Sequence, residues 1–499
     1  MRPSSRSKRV PTPLDQLFNP ASLAVAGASP GKPGYLLLDS LLNARFKGQI
    51  YPISRSCSDV SGLKAYASLK DIPGTVDYVI CCVPAPQVPQ LIRDCAAKGV
   101  KAMTLFTAGF SESGTEQGKE LEAEITRLAR SCGVRLIGPN CMGIYCPKAG
   151  LSFSYHLPTE SGRVGLVCQS GGSSVYTVQA SGYRGVRFSK AVSYGNACDI
   201  NEGELLEYFA RDTETDIVAV YIEGVKDGRR FFRALSDLSR KKPVLVVKGG
   251  HTRAGAQAAA SHTGALAGSD RLWDDLLEQA GAIRAHSLED LVDLLVTFSL
   301  LRLPRGRKVG IYGSAGGASV LATDDWAQAG FELPRVPDQL KEEASALVSN
   351  DAGLILHNPL DFSMFAYTET FYGLVRSLVS ADGFVDLSVV HMPTGHGAWL
   401  PPAAFEAMME SVRDAVIRTH REINRPLVLV MHYLVTEWHW QKTLDKLQRR
   451  CSEAGVPVYY SMASAANAID RFLRYYERRQ ATAAQAKGGE ADHGRRSDA

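Results

Sequence analysis

The chain has 499 residues, enough for about three domains, and its 45% hydrophobic and 22% charged residues exclude a fibrous or wholly disordered protein. Four of its 56 Lys and Arg residues (Arg2, Arg6, Lys8 and Arg9) crowd into a Ser/Pro-rich arm and the rest balance the 52 acids, so nucleic-acid binding through phosphate neutralisation has no footing. No run of about 18 uncharged apolar residues spans a membrane, no apolar stretch follows the N-terminal bases, and the ten cysteines include no Cys-x-x-Cys pair; the expectation is a reduced, cytoplasmic protein without a metal site or a membrane partner.

Residues 1–13 read as a disordered basic arm. From 14 to about 150, short apolar runs (22–26, 49–53, 77–83 and 101–106) alternate with helical patterns at 35–43 and 88–97. Alternation of this kind predicts an α/β domain with a parallel sheet covered on both faces. A second unit, 160–302, opens with the apolar run at 163–168 and continues through runs at 217–222 and 243–248. A third, 306–476, begins at 308–312 and has strand-like runs at 387–391 and 426–431. The openings of the second and third units align: Arg163-Val-Gly-Leu-Val-Cys-Gln-Ser-Gly-Gly-Ser-Ser174 lies over Lys308-Val-Gly-Ile-Tyr-Gly-Ser-Ala-Gly-Gly-Ala-Ser319. The pattern is a repeated strand, glycine turn and helix. Beyond 477 the chain turns polar and Ala/Gly-rich, and 477–499 reads as a disordered tail.

Two loops suit anions. The first, Gly27-Ala-Ser-Pro-Gly-Lys-Pro-Gly34, follows a strand and opens a helix, where glycines let backbone N–H groups approach a phosphate. Its spacing is not Gly-x-Gly-x-x-Gly, and the second strand ends in Pro52-Ile-Ser-Arg-Ser56, without the acid that an NAD ribose requires. Arg55 suits an additional ribose phosphate, as in coenzyme A or NADP. A bare packing turn is the competing account. The second loop, Gln169-Ser-Gly-Gly-Ser-Ser174, offers backbone donors and the hydroxyls of Ser170, Ser173 and Ser174 at a helix start. It lacks the Gly-x-Ser-x-Gly of a hydrolase elbow. The third-unit copy, Gly313-Ser-Ala-Gly-Gly317, reads as the same turn reused for packing.

Among eleven histidines, His262 differs by its setting, Ala258-Ala-Ala-Ser-His-Thr-Gly-Ala-Leu-Ala-Gly268, where small residues leave the imidazole accessible. A neutral imidazole is a nucleophile towards phosphoryl groups near neutral pH. Glu223, after the strand 217–222, is the candidate carboxylate to orient it. Spacing alone leaves an active and an inert His262 equally open.

The segments Gly138-Pro-Asn-Cys-Met-Gly143, Ser170-Gly-Gly172, Tyr221-Ile-Glu-Gly-Val-Lys-Asp-Gly-Arg229 and Ser261-His-Thr-Gly-Ala-Leu-Ala-Gly268 resemble the nucleoside-diphosphate-forming acyl-CoA synthetases, relatives of the succinyl-CoA synthetase α subunit. The resemblance covers about residues 14–470. It implies a Rossmann-like CoA-binding domain (14–150) followed by two flavodoxin-like domains (160–302 and 306–476). It implies a phosphohistidine at His262 with Glu223 as its carboxylate partner, and phosphate held by Ser170, Gly171, Gly172 and Ser173. CoA contacts are implied at Gly27, Ser29, Gly31, Lys32, Gly34, Arg55, Pro84, Ala108, Gly109 and Asn140. The implied reaction interconverts acyl-CoA, phosphate and ADP with carboxylic acid, CoA and ATP through an acyl phosphate. Two departures stand out. Arg55 occupies a place where relatives often have Lys, and no ATP-grasp nucleotide domain is present. The implied partner is therefore an ATP-grasp β subunit carrying ATP or ADP with Mg. The runner-up is a non-catalytic CoA-binding regulatory protein of the same fold; an NAD(P) dehydrogenase is disfavoured by the glycine spacing.

Because His262 has no phosphoryl donor within these residues, the chain alone should not make an acyl-CoA from acid, CoA and ATP. Turnover by a preparation that mass spectrometry finds free of any second protein would contradict this.

Overall fold

A computed structural model describes residues 13–250, 252, 254–255, 270–313, 316–348, 354–362, 369–392, 400–431 and 438–496. Residues 1–12 of the expected arm fall outside it, as does His262, and Pro13 opens the helix Pro13–Leu17. The chain divides into two compact units, Met1–Gly182 with Arg187–Leu291, and Tyr183–Val186 with Val292–Ala499.

The first unit holds two parallel sheets. One runs in the order Gln49–Ile53, Ser22–Ala26, Tyr78–Cys81, Ala102–Leu105, Arg135–Ile137. Its central strands are buried along their whole length, which is why they read as unbroken apolar runs rather than alternating ones. The other sheet runs Ile283–Ala285, Val244–Lys248, Ile217–Ile222, Val164–Cys168, Phe188–Ser193, Gly143–Tyr145. Its last strand is antiparallel, pairing Gly143 with Ser193 and Tyr145 with Ala191. In both sheets the first strand in sequence of the parallel set lies second in space, flanked by the second and third. That arrangement creates a topological switch point, and ligands of open α/β sheets bind at the carboxyl ends of the strands around such a point.

Gly143–Tyr145, within the expected first domain, pairs into the second sheet. Left-handed backbone at Gly138 (φ 108°), Asn140 (φ 57°) and Gly143 (φ 87°) turns the chain out of the first sheet before 150 is reached. The division between the two compact units falls at Leu291, inside the helix Leu288–Leu300, whose apolar residues run all round.

The second unit is built on four parallel strands, Val309–Tyr312, Leu387–Met392, Leu427–Met431 and Val458–Tyr459, in that order. The place beside Val309–Tyr312 is taken by isolated parallel bridges, Lys308 to Glu332 and Tyr312 to Leu360. The repeat holds. Val164–Cys168 leads to the helix Gly171–Tyr183, and Val309–Tyr312 leads to the helix Gly316–Gln328, each helix 13 residues long. Residues 477–496 of the stretch expected as a disordered tail instead continue the helix Met462–Arg496, and 497–499 lie outside the described residues. Their Ala, Gln, Glu and Arg content favours helix as much as it resembles a solvated tail.

His420, near the end of the helix Pro402–Glu422, is 8% exposed. Burial, with Arg302 and Arg421 close by, pushes its imidazole down to about 4; these effects outweigh the helix C-terminus, which favours a cation. A histidine depressed in the folded state binds its proton more readily when unfolded. Stability contributed by neutral His420 is therefore present above its ordinary value of 6.5 and is lost as pH falls from there towards about 4. Between pH 7.5 and 5.5 the wild type should lose about 1 kcal/mol more unfolding free energy than His420→Gln. Equal losses of unfolding free energy in wild type and His420→Gln, from denaturant titrations at the two pH values, would disprove it.

Candidate functional site

A cavity of about 1140 Å³ lies within the first unit, at the upper end of the size of small-molecule pockets. Its walls are the turns that follow the parallel strands of both sheets. Gly27, Ser29 and Lys32 follow Ser22–Ala26, Arg55 follows Gln49–Ile53, and Pro84 follows Tyr78–Cys81. Ala108 follows Ala102–Leu105 and Asn140 follows Arg135–Ile137. From the second sheet come Ser170, Gly171 and Gly172 after Val164–Cys168, and Asn196 after Phe188–Ser193.

At the first-domain end the loop is fixed by main-chain bonds. The amides of Gly27 and Ala28 both donate to the Ile53 carbonyl at 3.1 Å. Ser29 Oγ lies 2.8 Å from Ser54 Oγ and 3.1 Å from Ser56 Oγ, tying the glycine loop to the turn that carries Arg55. Lys32 and Arg55 are exposed, and among the described residues they are the basic side chains lining the cavity. Gly27 is left-handed (φ 89°), and a Cβ there would stand 2.9 Å from the Cys82 carbonyl oxygen. Three of the expected contacts do not line the cavity. Gly31 is an exposed left-handed turn, Gly34 packs the helix Pro33–Asn43 onto the loop, and the Gly109 amide donates to Glu112 Oε1 at 2.6 Å.

At the other end, Ser170 caps its own helix, accepting the Ser173 amide on Oγ at 3.3 Å. Gly171 and Gly172 carry the remaining first-turn amides at the positive end of a 13-residue helix. The expectation that the Ser174 hydroxyl joins this cradle is corrected: it is fully buried and donates to the Gly171 carbonyl at 2.6 Å. Ser173 lies outside the cavity wall and hydrogen-bonds Tyr221.

Glu223 stands at the switch point of the second sheet, one residue beyond Ile217–Ile222. Gln169 Oε1 accepts its amide at 2.8 Å and that of Gly224 at 3.2 Å, which fixes the backbone. Tyr221 Oη donates to Glu223 Oε1 at 3.2 Å. Burial first, and then the Glu223 carboxylate, push the Tyr221 phenol upward, so it stays a donor and holds that carboxylate oxygen in place. Lys248, 4% exposed at the end of the adjacent strand, has its ammonium 5.3 Å from the Trp273 ring centre. Burial lowers it while Glu223 pulls it back up. The helix-start donors Gly171 and Gly172 open on the cavity, while the carboxylate of Glu223 is held behind the wall beside Gln169.

Sequence reasoning missed Met142, Asn196 and the role of the Gln169 side chain. Asn196 Nδ2 donates to Glu112 Oε2 at 2.5 Å and to Glu122 Oε2 at 2.8 Å, linking the two domains beside the cavity. A polar residue after an unrecognised strand gave no signal for this. Gln169 was visible in the loop, but only the fold brings Glu223 to it.

Residues 21–147 match the family model described as CoA binding domain, and residues 161–298 match the succinyl-CoA ligase like flavodoxin domain. The chain is 35% identical over 464 residues to the acetate–CoA ligase [ADP-forming] II subunit alpha of Pyrococcus furiosus, covering 91% of this chain and 97% of that protein. It is 33% identical over 470 residues to the I subunit alpha of the same organism, covering 93% and 97%. Among solved structures, the dinucleotide forming acetyl-coenzyme A synthetase 1 of Ca. Korarchaeum cryptofilum, in complex with phosphate and ADP, matches with a TM-score of 0.77. That match is at 31% identity over 95% of this chain and 98% of that one.

Gly31 and Gly34 of the first loop should respond differently to substitution. A Cβ on Gly34 would sit 2.5 Å from the Gly27 carbonyl oxygen, whereas one on Gly31 meets nothing within 4 Å. Gly34→Ala should cost about 2 kcal/mol because main chain must move. Gly31→Ala should cost about 1 kcal/mol, for its left-handed backbone alone. Urea titrations giving the reverse order would contradict this packing.

Proposed function

The chain belongs to the family of ADP-forming acetate–CoA ligase α subunits, and on that premise we propose that it turns acyl-CoA and phosphate into carboxylic acid and CoA while passing the phosphoryl group through His262 to ADP. In this reading a phosphate oxygen attacks the thioester carbonyl, the C–S bond breaks, and the thiolate takes a proton. The acyl phosphate then gives its phosphoryl group to His262: a P–N bond forms as the P–O bond to the acyl group breaks, releasing carboxylate. The P–N bond breaks in turn as ADP is phosphorylated, and the sequence reverses for synthesis.

One observation supports this best. The cavity joins Lys32 and Arg55, suited to the phosphates of CoA, with the Gly171 and Gly172 amides, suited to the developing oxyanion and the phosphoryl group. Glu223, held by Tyr221 and Gln169, would orient the imidazole and balance its positive charge. His262 lies outside the described residues, so its part rests on the sequence. Among the described residues no group of His, Cys, Asp and Glu suits a metal ion. The nucleotide and its Mg are assigned to an ATP-grasp β partner, in line with the α-subunit names of the relatives. The alternative, a CoA-binding regulator, has no use for Glu223 fixed in this way.

The test is labelling with acyl-CoA and radioactive phosphate, alongside calorimetry with CoA and NAD. The wild type should acquire an acid-labile, base-stable phosphoryl group. His262→Ala should lose it while binding CoA within about twofold, and Glu223→Gln should bind CoA normally but label slowly. Undiminished labelling of His262→Ala, or tighter binding of NAD than of CoA, would overturn the proposal.

A further inference from the structure

The proposed function leaves the acyl group open, and the second-domain end of the cavity narrows the choice. The wall there is formed by Asn140, Cys141, Met142, the turn from Gln169 to Gly172, and Gly195 with Asn196. These are polar side chains and glycines apart from Cys141 and Met142. Cys141 is 4% exposed, and its Sγ is turned towards the Leu105 and Ile137 carbonyls, 3.5 Å from each. Met142 is half-buried. A Cβ placed on Gly171 would meet its Cγ at 3.1 Å and its Sδ at 3.6 Å, so the thioether lies alongside the first residue of the donor helix.

The backbone of Met142 is held fast. Its amide donates to Ser193 Oγ at 3.1 Å, and the strand that follows is locked into the second sheet. The side chain keeps three rotatable bonds and a polarisable sulfur, which lets it follow the shape of an apolar neighbour.

We propose that Met142 is the residue that sets acyl-chain length in this protein. This rests on the proposed function, which puts the thioester carbonyl at the Gly171 and Gly172 amides. The alkyl carbons then extend from that carbonyl onto the thioether, which among the described residues lining this end is the apolar side chain not turned away.

Calorimetry on the full chain, with CoA, acetyl-CoA and butyryl-CoA, tests it in the wild type, Met142→Ala and Met142→Phe. CoA should bind all three proteins within about twofold. One or two methylenes in an apolar pocket are worth about 10-fold or more in selectivity. Met142→Ala should therefore raise the affinity for butyryl-CoA relative to acetyl-CoA about 10-fold, and Met142→Phe should lower it by a similar factor. Unchanged butyryl-to-acetyl ratios in both variants that still bind CoA would overturn the proposal and leave CoA binding intact. Failure of the wild type to bind CoA at all would instead sink the proposed function, and this inference with it.

Discussion

The geometry of the cavity depends on a seam between the first two domains. Arg135, at the start of the last strand of the first sheet, donates from Nε to Asp199 Oδ2 at 2.8 Å and forks onto both Glu204 oxygens at 3.1 and 2.8 Å. Asp199 Oδ2 also accepts the Leu136 amide at 2.9 Å. Planar guanidinium forks of this kind fix direction as well as distance. Main-chain bonds extend the seam: the amides of Asn196, Cys198 and Ile200 donate to the carbonyls of Pro139, Gly138 and Leu136. Cys198 is buried in the hydrophobic core of the first domain. The chain leaving one sheet is thus paired against the chain leaving the other, and the carboxyl ends of both sets of strands open on the same space.

That arrangement decides which polar groups are spent on the fold and which remain for a ligand. Buried amides must find acceptors, and an internal carboxylate at a helix start satisfies them as well as a bound anion would. Glu112 does so for Gly109 and Phe110, so the loop expected to touch CoA has its donors engaged inside the protein. In the second unit, the Gly316 amide donates to Asp361 Oδ2 at 3.0 Å. The aligned turn before the helix Gly171–Tyr183 has Ser170 as its cap, a smaller and neutral acceptor. One sequence pattern is therefore used twice, once around a carboxylate from its own unit and once facing a cavity. The difference lies in a residue far along the chain, which no inspection of the turn reveals.

The same reasoning explains what was legible in the sequence. Strands buried on both faces, such as Ser22–Ala26 and Ile217–Ile222, appear as apolar runs and were found to the residue. Phe188–Ser193 is buried at every position yet reads Phe-Ser-Lys-Ala-Val-Ser, and it was missed. Lys190 sits 5% exposed within it because Asp212, 3.0 Å away, and Glu214, 2.6 Å away, neutralise it. The bonds to Lys148 and Lys190 hold Glu214 down at about 2. A buried charge is tolerable only when paired, and pairing is invisible until the fold brings the partners together. Glycine spacing located both loops that line the cavity. Side chains that act across the fold, Asn196 and Met142, left no local pattern, and the distinction between Gly27, which lines the cavity, and Gly34, which packs beneath it, needed coordinates.

The distribution of charge along the cavity bears on how the proposed reaction would proceed. Among the described residues, the full cations lining the cavity, Lys32 and Arg55, stand at the first-domain end, where the proposed reaction would hold its ligand through the whole cycle. The end that would receive a phosphoryl group offers helix-start amides, equivalent to roughly half a positive charge. Phosphoryl groups carry about −1.5 to −2 near neutral pH. A lysine or arginine pressed against such a group would lower its energy at rest as much as in transfer, and uniform binding of that kind does not speed the chemical step. Oriented amides hold the same oxygens in a fixed geometry with a weaker grip, and Glu223 places a negative charge where a cationic imidazole would gain from it. The asymmetry fits a chain that keeps its carrier molecule anchored at one end and hands a small anion onward at the other.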